Sequence, residues 1–169
     1  VGPLRKSLDE LTALGLLERV QGSGNYVCAQ EDAQSVYAFF RVELLDGGGL
    51  PTAELLSVDR LVKRKALPRF GQSDEGHRIR RLRRLNGVPA VLEEIWLDER
   101  FAETIDADAL RESLYLYYRE SLGLWITKAE DRLDLSFVPD WAPDSFGRPH
   151  GQPCMRATRL SYGPDGQSA

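Results

Sequence analysis

With 169 residues, 42% of them apolar and 28% charged, the chain has room for one full domain and part of another, and its composition excludes a disordered or fibrous class. No run nears the ~18–20 uninterrupted apolar residues of a membrane span, and the N-terminus lacks the regions of a secretion signal, so a cytoplasmic protein without a membrane partner is expected. A net charge of −4 excludes a nucleic-acid-binding surface spread over the whole molecule, so any phosphate contact must be local.

In chain order, Leu4, Leu8, Leu11 and Leu14 follow a helical period that predicts an amphipathic helix ending at Gly15, with Pro3 tolerated in its first turn. Glu18-Arg19-Val20, Gln21-Gly22-Ser23-Gly24-Asn25 and Tyr26-Val27-Cys28 then read as strand, glycine turn and strand. A hairpin tip without bulky side chains lets backbone amides approach phosphates. The polar stretch from Ala29 to Ser35 has no apolar period and marks a linker.

Beyond it, strand-like runs at Val36–Leu44, Ala53–Leu61, Ile79–Leu85, Ala90–Leu97, Asp131–Phe137 and Met155–Tyr162 surround one helix at Leu114–Leu122. This is an α+β pattern. Ser113 is placed to cap that helix and Gly123 to close it. A loose echo relates the segment from Phe70-Gly71 to Asn86-Gly87 with that from Phe146-Gly147 to Asp165-Gly166, as two hairpins of one sheet would.

Side chains alternate along a strand, so Ile79, Arg81, Arg83 and Leu85 share one face of their run, while Arg78, Arg80, Leu82 and Arg84 share the other. An arginine pair between aliphatic residues is badly placed for a solvated surface, and buried guanidinium groups need an anionic partner. That partner is either a small anionic ligand or a structural carboxylate, Glu93 or Glu94. A two-residue turn at Asn86-Gly87 puts Glu94 on the Arg81/Arg83 face; a three-residue loop through Val88 puts Glu93 there. The helix N-terminus at Ser113 offers free amides and a positive dipole end to an anion.

Cys28 and Cys154 have no metal-ligand spacing and read as buried free thiols. His77 and His150 read as solvated. With no nucleophile elbow and no phosphate-loop motif, neither a metal nor a cofactor nor an enzyme is indicated.

Two resemblances organise these readings. Leu4-Arg5-Lys6, Leu11, Gly15-Leu16-Leu17-Glu18-Arg19 and Gln21-Gly22-Ser23-Gly24-Asn25-Tyr26-Val27 resemble the recognition helix and wing of GntR-type regulators. Ile79-Arg80-Arg81-Leu82-Arg83, Asn86-Gly87-Val88-Pro89, Leu92-Glu93-Glu94, Ser113-Leu114-Tyr115 and Gly151-Gln152-Pro153 resemble the UTRA effector-binding domain of the HutC branch. The resemblance implies residues 1–29 as the C-terminal part of a winged helix-turn-helix and 30–169 as a UTRA-like domain of chorismate-lyase-like fold, a six-stranded antiparallel sheet with helices, here lacking its last strand. It implies operator DNA as a partner, contacted by Arg5, Lys6, Gly22, Ser23 and Gly24. A chain that begins at the recognition helix is expected not to bind that operator by itself.

The resemblance further implies a homodimer and a repressor released by an acidic small molecule, such as a phosphorylated metabolite. Arg81, Arg83, Glu93, Ser113 and Tyr115 would line its pocket, Glu93 being the glutamate that the family's pattern selects. Ser35-Val36-Tyr37 departs from the Ser-Phe-Thr run of sugar-phosphate-binding relatives. The alternative is a lyase-like enzyme on the same fold.

Overall fold

The computed structural model describes residues 2–13, 17–20, 24–27, 40, 42–110 and 113–169. They fall into two compact units, Val1–Ala38 and Phe39–Ala169. In the first unit, helix α1 spans Gly2–Ala13, and strands β1 (Leu17–Val20) and β2 (Gly24–Val27) pair antiparallel, Val20 opposite Gly24. Gly24 adopts φ +133°, backbone open only to glycine. The expected linker lies outside the described residues.

The second unit opens on a glycine turn. Residues 40 and 42–44 of the expected Val36–Leu44 strand are not extended into a sheet, and the rest of that run is outside the described residues. The physical reason is local: Leu44 accepts a hydrogen bond from Gly47 at 2.8 Å and donates one to Gly48 at 3.0 Å, closing a turn through glycines at positive φ.

Three long strands follow, β3 (Pro51–Val62), β4 (Glu75–Leu85) and β5 (Val88–Asp98), forming an antiparallel sheet in that order. Strands β6 (Lys128–Phe137) and β7 (Pro153–Tyr162) form a second, two-stranded sheet. Among the described residues the antiparallel strands of this unit therefore form two sheets rather than one of six strands, and the echoing segments lie in different sheets. Beyond β7, Ser168 bridges back to Tyr162 and its carbonyl accepts from the Gly71 amide at 3.1 Å. Gln167 takes hydrogen bonds from Gln72 and Arg100. The last residues thus tie β7 to the end of the three-stranded sheet.

Helix α2 (Leu114–Leu122) forms as its flanks direct: Ser113 accepts a hydrogen bond from the Leu116 amide, and Gly123 ends it in the left-handed conformation at φ +64°. Its Leu114, Tyr117 and Tyr118 join Ile79, Leu97, Leu124 and Ile126 in the core. Because Ile79 points to this core, the face of β4 that α2 packs against is the one bearing Arg81 and Arg83. Among the described residues no helix is long and apolar enough to cross a membrane.

Two buried polar groups anchor the frame. His77 is not solvated as expected: it is only 2% exposed and its Nε2 lies 2.8 Å from the Ala102 carbonyl, because it lies on the face of β4 that carries Ile79 into the core. His150 is exposed, with Nε2 3.0 Å from the Ala142 carbonyl. Asp98 is fully buried at the end of β5 and accepts from Lys63 Nζ (2.6 Å), the amides of Gln72, Ser73 and Arg100, and the Ser73 hydroxyl. Burial alone would raise its pKa, but the Lys63 ammonium and these donors hold it down at about 2. A side chain at Gly71 would place its Cβ 1.9 Å from Asp98 Oδ2. Cys154 is a half-buried free thiol; Cys28 lies outside the described residues.

Candidate effector site

The site begins with alternation along β4. Ile79, Arg81, Arg83 and Leu85 are all buried, Arg81 at 4% and Arg83 at 3% exposure. On the opposite face Arg78, Arg80 and Arg84 are half-buried. Burial of two guanidinium groups this complete is costly unless each meets negative charge or a polarisable face. Arg81 donates from Nε (2.9 Å) and Nη2 (2.6 Å) to Glu93 Oε2. Arg83 Nε lies 3.7 Å from Glu93 Oε1, and its guanidinium sits 4.5 Å over the Phe40 ring.

Glu93 reaches this face by a route that neither simple turn provides. The hairpin is a two-residue turn, with Leu85 opposite Val88 and both central residues, Asn86 (φ +50°) and Gly87 (φ +79°), left-handed. Alone, that turn would set Leu92 opposite Arg81 and Glu94 opposite Ile79, on the Arg81/Arg83 face. A β-bulge intervenes: Arg84 pairs with Pro89 but Arg83 with Val91, so Ala90 is the extra residue and Arg81 comes opposite Glu93. Pro89 is a signal that could have revealed it, since a proline cannot donate to the ladder and is found at bulges.

Glu94 thereby faces the other way, where Arg80 donates to it from Nε and Nη2 (2.9 and 2.8 Å), Trp96 Nε1 donates at 3.2 Å, and Arg64 also pairs with it. Burial pushes its pKa up, and these donors more than reverse that, leaving it below the usual carboxylate value.

Helix α2 packs against the Arg81/Arg83 face of β4. Ser113 is buried, its hydroxyl engaged with its own helix at Leu116. Tyr115 is directed to β7: its hydroxyl lies 3.0 Å from Ser161 Oγ and it hydrogen-bonds Arg159, which is held by Asp131. The Arg159 pKa is raised, chiefly by that hydrogen-bonded carboxylate. Tyr118, buried beside Tyr115 with rings edge to face at 6.2 Å, lies within electrostatic reach of Arg81 and Glu93.

The structure therefore brings Arg81, Arg83 and Glu93 into contact and places Ser113 and Tyr115 on the helix that packs against their face. Tyr118, Arg159 and Ser161 were missed by the sequence reading. A helical period that places Tyr118 one turn from Leu114 was the available signal for the first; the arginine-rich echo was the signal for the others. Arg5 and Lys6 are exposed on α1, Gly24 is exposed at the start of β2, and Gly22 and Ser23 lie outside the described residues. Among the described residues no three or more His, Cys, Asp or Glu side chains are placed to hold a metal ion.

The model of the UTRA domain family matches residues 46–168. The chain belongs to the UTRA-domain regulators of the GntR family, HutC type. Over all 169 residues it is 63% identical to the HTH-type transcriptional regulator SmoD of Agrobacterium fabrum, spanning 72% of that protein. It is 23% identical to the HTH-type transcriptional repressor NagR of Bacillus subtilis, with 94% of this chain and 68% of NagR covered. Among solved structures, YydK of Bacillus subtilis matches 99% of this chain and 74% of its own with a TM-score of 0.62 at 21% identity. PhnF of Mycobacterium smegmatis matches 99% and 76% with a TM-score of 0.57 at 21% identity. At such identities the likeness shows the fold alone. The UTRA regulator is thus a transcriptional regulator with an effector-binding domain and not an enzyme, which sets aside the lyase alternative.

Proposed function

We propose that this regulator is a cytoplasmic repressor released from operator DNA when an acidic small molecule binds to Arg81, Arg83, Glu93, Ser113 and Tyr115. The observation that carries the reading is the pair of buried guanidinium groups at alternate positions of β4, on the face against which the Ser113-capped helix packs. Arginine presents a fork of donors that matches the oxygens of phosphate or carboxylate, and a buried site strengthens such contacts. A phosphorylated metabolite fits this chemistry. DNA contact falls to Arg5 and Lys6 on α1 and to the wing at Gly22, Ser23 and Gly24.

The regulator acts as a homodimer in this proposal, since paired recognition helices ordinarily follow a twofold axis. A surface suited to it exists on the β6–β7 ribbon, where Leu133, Leu135, Phe137 and Met155 share one face and are all exposed, Met155 at 72%.

The test is a gel shift with the full-length regulator on DNA upstream of its own coding sequence. An inverted repeat there should be bound, and phosphorylated metabolites should release it. Release that persists unchanged in Arg83→Ala would contradict the assigned site.

A further inference from the structure

Tyr118 of α2 is 5% exposed, and its hydroxyl oxygen is fully enclosed with no hydrogen-bond partner among the described residues. Buried hydroxyls are almost always hydrogen-bonded, and one left without a partner costs folding free energy. Its ring is fixed between Tyr115 and Tyr117, each at 6.2 Å and edge to face, so the hydroxyl cannot readily turn away to solvent. It stands in the core with Ile79, one alternate position before Arg81 along the same face of β4, and feels the charges of both Arg81 and Glu93. Burial pushes the phenol well above its usual pKa, so it keeps its proton and remains a donor.

We infer that the Tyr118 hydroxyl is a further effector contact, donating a hydrogen bond to an oxygen of the anionic group that Arg81 and Arg83 hold. The inference rests on the effector site proposed above and deepens it: the effector must carry an acceptor oxygen on the α2 side of its anionic group. A hydroxyl left unsatisfied in the free protein and satisfied in the complex trades stability for recognition.

That trade gives Tyr118→Phe two opposite signatures. The ring and its packing are kept and only the oxygen is lost. Thermal unfolding of the ligand-free variant should show a Tm higher by about 3 °C, because an unsatisfied buried group has been removed. Calorimetric titration with inorganic phosphate should show binding weakened about tenfold. A structural tyrosine would instead lose stability on losing its hydroxyl and leave the affinity alone.

Arg83→Ala separates the two levels of the argument. If phosphate binds the native protein and not Arg83→Ala, while Tyr118→Phe binds it as the native protein does, the site stands and the Tyr118 inference is overturned. An unchanged or lowered Tm for Tyr118→Phe overturns it as well. If phosphate binds native protein and Arg83→Ala equally, or neither, the effector site itself falls and the inference falls with it.

Discussion

On one face of β4, Arg78, Arg80 and Arg84 each reach a carboxylate on an adjacent strand, Asp59, Glu94 and Glu54, and stay partly open to solvent. On the other face Arg81 and Arg83 are buried, converge on Glu93 and lie on the side where α2 packs. The five side chains are chemically identical and lie within seven consecutive residues. The contrast teaches that strand alternation, and not the number of arginines, separates surface charge pairing from a buried cation pair.

The largest effects should come from the buried side. Glu93→Gln leaves two buried guanidinium groups without that shared charge and should cost about 3 kcal/mol or more, whereas Glu94→Gln, amid half-buried partners, should cost about 1 kcal/mol or less. Urea unfolding of the two variants measures the difference, and a reversed order would break the comparison. Deleting Ala90 should approach the Glu93→Gln loss, because without the bulge Leu92 turns toward Arg81 and Glu93 turns away.

Acid sharpens the contrast from a third carboxylate. Asp98, fully buried, has its pKa held at about 2 against an ordinary 3.8. A lowered folded-state value means that its contribution is fully present above about pH 3.8 and is lost as pH falls toward 2. Unfolding free energy of the native protein should therefore drop across that window, and the drop should be shallower in Asp98→Asn. Asp59, whose pKa is lowered chiefly by its hydrogen bond from Arg78, is exposed enough that Asp59→Asn should change stability at neutral pH by no more than about 0.5 kcal/mol.

Much of this arrangement was legible in the sequence, and for definite reasons. The Ile79-to-Leu85 alternation fixed which arginines are buried, and Ser113 and Gly123 bounded α2 at the residues observed. The choice between Glu93 and Glu94 was not legible from turn geometry, because a two-residue turn and a bulge act in series and each reverses the face that the other sets. His77 was misread because burial of a polar ring depends on the Ala102 carbonyl, which comes from a segment 25 residues later. The Asp98 anchor was invisible for the same reason, its partners being gathered from Lys63, the turn at 71–73 and Arg100. The direction of Tyr115 toward β7 depends on a strand whose pairing no local pattern announces.

The most direct test of the central claim compares the two faces at adjacent positions. Calorimetric titration of Arg83→Ala and Arg84→Ala with the effector should show a loss of about 1.5–3 kcal/mol, ten- to more than a hundredfold in affinity, for the first, and almost none for the second. Equal losses in both variants, or a greater loss in Arg84→Ala, would contradict the assignment of the buried arginine face as the site at which this regulator reads its ligand.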